Sequence, residues 1–300
     1  MNKTYLIFKH EFLHSIKRGS WFFMALIVPV LALIGIGIMA LAINMSEPPE
    51  TILENIAIVD EVAPVEGNIA NIIIPGIFSL LLGLALMIGA TSLIYGLGEE
   101  KESRLIEVLF SSVSVRQLLI GKVLALGTAG LLQVLVWLVS APFLLSLASF
   151  VSGEFMSNIQ IPANFLILGI IYFILGYLLF AVLSIGVGAI SSNAREGGQL
   201  SLFYTLASFI PLWFMALFMA FPDSPIWVIL TIFPITAPVQ AMLRLGLSEI
   251  PLWQIMTSIG VLGLSIIGGL FLAIKIFRVN MLMHGKRPSF AEIIRSLRNP

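Results

Sequence analysis

The sequence predicts an all-α polytopic membrane protein, and three observations lead to that fold class. Hydrophobic residues make up 59% of the 300 residues and charged residues only 11%, whereas a soluble domain is roughly 45–50% apolar and about 25% charged. Six apolar stretches are each long enough to cross ~30 Å of hydrocarbon as a helix. Basic residues concentrate on one side of these stretches. The composition excludes a disordered chain, a nucleic-acid-binding protein and an ordinary cytosolic enzyme.

Residues 1–20 are predicted to form an amphipathic helix that lies in the membrane interface. Tyr5, Phe8, Phe12 and Ile16 recur at spacings of three and four and so share one helical face. Basic residues lie on the other faces of this helix. An aromatic face opposite basic side chains is typical of a helix lying along the inner surface of a bilayer.

The six predicted spans contain no ionisable residue. They cover residues 21–44, 72–98, 123–150, 163–190, 199–221 and 252–274. Carriers driven by protons or ions usually place charged groups at membrane depth, and here the polar groups are weak ones such as Thr91, Ser184 and Tyr204. The absence of charge therefore argues against a self-powered secondary transporter.

A seventh apolar stretch, residues 225–247, is predicted to be a re-entrant outer hairpin between spans five and six. Pro225, Pro234 and Pro238 divide it into pieces too short to cross a bilayer, and Arg244 lies near its end. With six spans, Arg244 is alone on one side, while the other 15 of the 16 lysines and arginines share the other side with both termini. The positive-inside rule then places both termini, including the tail 275–300, in the cytoplasm.

This topology makes residues 1–300 a single transmembrane domain of the plasma (inner) membrane. The predicted outer loop, residues 45–71, agrees with it because the loop carries six acidic residues and no basic one.

The loop of residues 99–122 is predicted to dock a cytoplasmic partner. Glu100 and Arg104 are four residues apart and Arg104 and Glu107 three, so both pairs can meet on a helix. Leu105 and Leu109 belong to an apolar stripe beside them. A solvated charged face is the alternative interpretation of the same pattern.

One string has the form of a catalytic motif: His10, Glu11 and His14 fit HExxH, which on a helix binds zinc and supplies a base. A zinc site needs a third protein ligand; His284 or a glutamate among residues 99–102 would have to provide it. We therefore keep an intramembrane zinc metalloprotease only as an alternative, and otherwise expect no catalytic residue, metal or cofactor. The chain also lacks cysteine and any Gly-rich phosphate-binding loop, so we expect no ATP site.

Three strings resemble the ABC-2 type transporter permease family, and its sodium-extrusion-like branch in particular. They are residues 9–13 at the N-terminus, residues 100–109 with Gly121 and Lys122, and residues 277–279 with 285–289 in the tail. The chain departs from the branch in its outer loop of about 27 residues, where many members carry a large extracellular domain. Val115 also stands where a proline often follows Ser114.

The resemblance implies the membrane subunit of an ATP-driven exporter rather than an enzyme. It implies a separate cytoplasmic ABC ATPase subunit and a second permease subunit, within the lipid bilayer and without nucleic acid. The loop between spans two and three would be the ATPase-coupling element, through residues Glu100, Lys101, Glu102, Arg104, Leu105, Glu107 and Leu109. A membrane scaffold that does not transport remains a further alternative.

Overall fold

The computed structural model of the chain describes residues 3–17, 70–102, 113–152, 163–191 and 193–282, with separate positions between 19 and 38. Every element in these residues is an α-helix. The helices are α1 Lys3–Lys17, α2 Ala70–Glu102, α3 Val115–Ser152, α4 Ala163–Ile190, α5 Ala194–Ser208, α6 Ile210–Trp213, α7 Met215–Ala220, α8 Pro225–Ile232, α9 Ala237–Leu247 and α10 Leu252–Leu282.

Four of these helices are long and apolar enough to cross a membrane, which makes the chain a multi-pass membrane protein. The candidate spans are Pro75–Gly98, Arg116–Trp137, Asn164–Ile190 and Leu252–Ile276, and they correspond to the second, third, fourth and sixth predicted spans. The first predicted span, residues 21–44, falls mostly outside the described residues. The predicted tail begins inside α10, which continues to Leu282.

The predicted fifth span, residues 199–221, is not one helix but part of a run of three, α5 to α7. Pro211 has no N–H to donate to the carbonyl of Ala207, so the regular hydrogen-bond ladder is interrupted there. Phe209 bonds instead to the Leu206 carbonyl, three residues back, at 3.0 Å. A second break follows at Phe214, where φ is −101° and ψ is 18°. Apolar composition alone did not reveal these breaks.

The core is built around α4, which packs against α2, α3, α5, α9 and α10. Its Tyr177 ring contacts three glycines of the neighbouring helices: Gly89 of α2, and Gly127 and Gly130 of α3. A Cβ at Gly89 would lie 2.6 Å from the ring. Small residues of this kind let helix backbones approach closely where no hydrophobic driving force exists between them.

Several hydroxyl groups within the long helices donate to the backbone of their own helix. Thr91, Thr128 and Thr257 each donate to the carbonyl four residues earlier, at 2.6–2.7 Å. Ser184 donates to the Phe180 carbonyl and also meets the Tyr204 hydroxyl of α5 at 2.8 Å. The Ser184–Tyr204 contact joins α4 to α5, whereas the three threonines bond only within their own helices.

The stretch 225–247 forms two short helices, α8 and α9, joined by a turn at residues 233–236. Residues 237–244 of α9 are all buried. Pro238 lies against Gly176, the fourteenth residue of the 28-residue α4, and Met242 lies against Gly169. The helix α9 therefore begins at the middle of α4 and follows it back towards the N-terminus of α4.

A candidate docking site at the end of the bundle

Four helices converge at the end of the bundle where α2 ends and α3 begins, which we call the α2–α3 end. The closest approach is between α2 and the start of α5: a Cβ added at Gly98 would lie 2.6 Å from the Ala194 Cα. Gly197 of α5 packs against Ile94 of α2 in the same way. Because glycine carries no side chain, the two backbones touch and fix the angle between α2 and α5.

Both helices that begin at this end are capped by side chains. Ser114 Oγ accepts from the Gln117 N–H at 3.3 Å, and the Gln117 side chain accepts from the Ser114 N–H at 3.2 Å. This reciprocal pair is a capping box. At α5, Asn193 accepts from the Glu196 N–H at 2.8 Å. The caps fix the residues at which α3 and α5 begin.

The N-terminal helix α1 is attached to α3 at the same end. Lys122 of α3 is buried, and its ammonium donates to the Glu11 carboxylate at 3.0 Å. Because Gly121 has no side chain, Ile7 and the Thr4 carbonyl of α1 pack directly against it beside this pair. Trp21 further donates to the Ala129 carbonyl at 3.1 Å. The helix α1 forms as predicted, and its Phe8 and Phe12 rings stack at 5.7 Å.

The predicted coupling residues divide into two groups. Glu100, Lys101 and Glu102 lie on the last turn of α2, which extends four residues beyond the predicted end of span two. The other predicted residues, Arg104, Leu105, Glu107 and Leu109, lie outside the described residues. The packing of α1 on α3 and of α5 on α2 was not predicted from the sequence. Gly98, Gly121 and Lys122 are the sequence features that lie at these contacts.

The geometry does not support the zinc-protease alternative. Glu11, the base in that hypothesis, is engaged by Lys122, whereas His10 and His14 are exposed and stack on each other at 6.3 Å. Among the residues that the structure describes, no group of three His, Cys, Asp or Glu side chains could hold a metal. His284 falls outside them.

At the opposite end of the bundle a polar cluster surrounds Arg244 of α9. Its Nη1 donates to Thr231 Oγ1 of α8 and to Gln254 Oε1 of α10, each at 2.9 Å. Ser258 of α10 adds a bond to the Thr231 carbonyl at 2.6 Å. The cluster thus ties both helices of the 225–247 stretch to the start of α10.

A comparison with protein families decides what this architecture is. The family described as "ABC-2 family transporter protein" matches residues 61–275, which include α2 to α9 and most of α10. The chain belongs to the ABC-2 transporter family. Members of this family are the membrane component of a transporter and not catalytic enzymes by themselves, so this chain is an ABC-2 permease.

Two relatives of this ABC-2 permease are uncharacterized proteins. One is MJ1024 of Methanocaldococcus jannaschii, 28% identical over 219 residues, which are 73% of this chain and 52% of the relative. The other is YhaP of Bacillus subtilis, 28% identical over 205 residues, 66% of this chain and 49% of the relative. The chain therefore spans about half the length of the curated relatives it matches.

Proposed function

We propose that this ABC-2 permease is the transmembrane subunit of an exporter, driven by a separate ABC ATPase that docks at the α2–α3 end. The observation that carries the proposal is the convergence of α1, α2, α3 and α5 at the ends of the 99–122 loop. Contacts through Gly98, Gly121 and the Lys122–Glu11 pair join these helices. A force applied to the loop would therefore reach four helices together.

The loop itself supplies the contacts with the ATPase. Exposed ion pairs contribute only ~0–1 kcal/mol each, whereas fully burying a leucine contributes ~1.5–3 kcal/mol. Docking therefore depends more on Leu105 and Leu109 than on any one of the charges at Glu100, Arg104 and Glu107. Lys101 and Glu102 belong to the same proposed coupling element.

The proposed topology has six spans that cross the plasma membrane. The α2–α3 end and both termini lie in the cytoplasm. The distribution of basic residues supports it. The stretch 225–247 is then a re-entrant outer hairpin. The contact of Pro238 with Gly176 supports this, since it places the turn of the hairpin at the middle of α4.

A second permease subunit completes the proposed transport path, and the cargo is amphiphilic. The six predicted spans carry no Asp, Glu, Lys, Arg or His, and an uncharged path favours amphiphilic cargo. Membership of the sodium-extrusion-like branch would therefore not by itself make sodium the cargo.

Co-purification with the ATPase tests the docking role. ABC ATPases of the same genome are co-expressed with the tagged permease, and the complex is isolated in detergent. We expect Leu105→Asp and Leu109→Asp each to abolish capture of the ATPase, and Glu107→Ala to weaken it only modestly. The matched control is Phe221→Asp, because Phe221 is exposed at the opposite end of the bundle.

Membrane expression of each variant is measured in parallel, so that loss of capture is distinguished from loss of insertion. If both aspartate variants retain the ATPase at the wild-type level, the loop is not the coupling element. If no ATPase is captured by the wild-type chain and nucleotide changes nothing in it, the scaffold alternative replaces the exporter.

A further inference from the structure

Arg244 is a buried cation that no carboxylate neutralises among the described residues. Its side chain is 6% exposed. The two carboxylates of the surrounding segment, Asp223 and Glu249, are both exposed and form no ion pair with it in the described part of the chain. An ionisable residue enclosed in a membrane protein is costly and by default marks a functional site.

The hydrogen bonds of Arg244 leave one edge of the guanidinium without a partner in the described residues, and the Nε atom of that edge is buried. A guanidinium has five N–H donors, and Nη1 uses both of its own on Thr231 and Gln254. Nε has no partner in the described residues, and no bond is formed by Nη2 there. The Nε–Nη2 edge is the fork that binds a phosphate or carboxylate through two parallel hydrogen bonds. Thr231 and Gln254 hold the plane of this fork in place.

The position of the fork indicates which anion reaches it. Gly246, two residues beyond Arg244, packs against Phe165 near the start of α4 and against Pro75 near the start of the α2 span. Gln254 is the third residue of α10. Arg244 therefore lies near the ends of three membrane helices, at the depth of lipid headgroups rather than at mid-membrane.

The surface around the cluster is apolar and exposed. On α8 and the first turns of α10 the polar residues Thr231, Gln254 and Ser258 are buried. Apart from Thr257, the exposed residues in and next to these segments are mostly large hydrophobic ones: Ile226, Ile229, Phe233, Leu252, Trp253 and Met256. Tryptophan beside apolar side chains is typical of the level at which acyl chains meet headgroups.

From this geometry we infer that Arg244 binds the phosphate of a phospholipid whose acyl chains lie along the exposed faces of α8 and α10. The lipid supplies the anion that the Nε–Nη2 edge lacks, and its chains cover the apolar surface beside it. Because Thr231 and Gln254 belong to α8 and α10, the bound lipid stabilises the attachment of the 225–247 stretch to the start of α10.

Lipid binding to the full chain in an uncharged detergent tests this inference, by native mass spectrometry with short-chain phosphatidylglycerol. The matched ligand is diacylglycerol with the same acyl chains and no phosphate. We expect saturable binding of one phosphatidylglycerol, and binding of diacylglycerol at least about tenfold weaker, since a charge-assisted hydrogen bond is worth about that factor. Arg244→Gln should weaken the binding of phosphatidylglycerol to the level of diacylglycerol binding. Arg195→Gln, which changes an exposed arginine, should leave phosphatidylglycerol binding unchanged.

Arg244→Lys keeps the positive charge but lacks the fork of donors. If circular dichroism shows that Arg244→Gln does not fold, lipid binding to Arg244→Lys tests the inference instead. We expect this variant to bind phosphatidylglycerol several-fold more weakly than the wild type does. Equal binding of the two lipids, or wild-type affinity in the folded arginine variants, would overturn the inference. Displacement of the lipid by millimolar inorganic phosphate would overturn the lipid assignment and leave a free anion as the ligand.

Discussion

At the scale of single residues, Gly98 and Gly96 form a natural pair for measuring how tightly α2 meets α5. A Cβ at Gly98 would lie within 2.6 Å of the Ala194 backbone, whereas one at Gly96 would meet nothing within 4 Å. We expect Gly98→Ala to lower the free energy of unfolding by about 1–3 kcal/mol through overpacking. Gly96→Ala should raise it by up to ~1 kcal/mol through helix propensity.

Unfolding of both variants in detergent, followed by circular dichroism, checks this expectation. If Gly98→Ala is as stable as Gly96→Ala, then α5 can shift to accept the added methyl group without loss of stability. The contact between α2 and α5 would then not fix their angle. The wild-type chain provides the reference, because neither substitution changes a charge or a hydrogen bond.

The Lys122–Glu11 pair gives a second prediction at this scale. Lys122 is 3% exposed and Glu11 is 21% exposed, so Glu11→Gln removes a carboxylate from a buried ammonium. We expect a loss of ~1.5–3 kcal/mol in stability, the usual contribution of a hydrogen bond to a charged group. The double variant Glu11→Leu, Lys122→Met should recover most of the loss, because an apolar pair avoids the desolvation cost of both charges.

Thermal unfolding of the single and double variants measures these effects. Glu249→Gln is the control, since that carboxylate is exposed at the opposite end of the bundle. A double variant less stable than Glu11→Gln would show that the charges themselves, and not the packing of α1 on α3, hold the two helices together.

At the scale of elements, the capping box of Ser114 and Gln117 defines where the docking loop ends. We expect Ser114→Ala to destabilise the start of α3 by about 1 kcal/mol. The control is Thr128→Ala, which removes an exposed hydroxyl from the interior of the same helix. Hydrogen exchange of the amides at residues 115–118 is the measurement, and faster exchange is expected only in the Ser114 variant. Equal exchange in both variants would mean that packing against α1, rather than the cap, orders this turn.

The long helices were predicted from the sequence, whereas the breaks within residues 199–221 were not. The helices α2, α4 and α10 follow from apolar length alone, since a run of about 20 such residues has few other structures available in a membrane. The breaks after α5 and α6 were not predicted. Pro211 is visible in the sequence and marks the first break, but residues 199–221 were interpreted as one apolar span; no proline marks the second break, at Phe214. Division of the 225–247 stretch was predicted from its prolines and is confirmed.

The candidate sites were less predictable because they depend on contacts between distant residues. Glu11 was assigned to a zinc motif from its neighbours in sequence, and only the position of Lys122, 111 residues away, shows its partner. Arg244 served in the sequence only as evidence for the topology. Its polar partners Thr231 and Gln254 could not be predicted, because they come from two other helices.

At the scale of the whole molecule, the topology gives the sharpest test. The chain contains no cysteine, so single cysteines can be introduced on an unreactive background. We expect a cysteine at Asn68 to react with an impermeant thiol reagent in intact cells, and one at Ser296 to react only after lysis. Labelling of both positions from outside would disprove six spans, since the five spans predicted between them place them on opposite sides of the membrane.

The attachment of α1 to α3 also has a consequence for biosynthesis. Glu11 leaves the ribosome 111 residues before Lys122, which at ~5–20 residues per second is a delay of roughly 6–22 s. During that interval the nascent helix has no α3 to pack against, and only the membrane surface is available to hold its aromatic face. The helix α1 is thus made before α3 and can join it only late in synthesis.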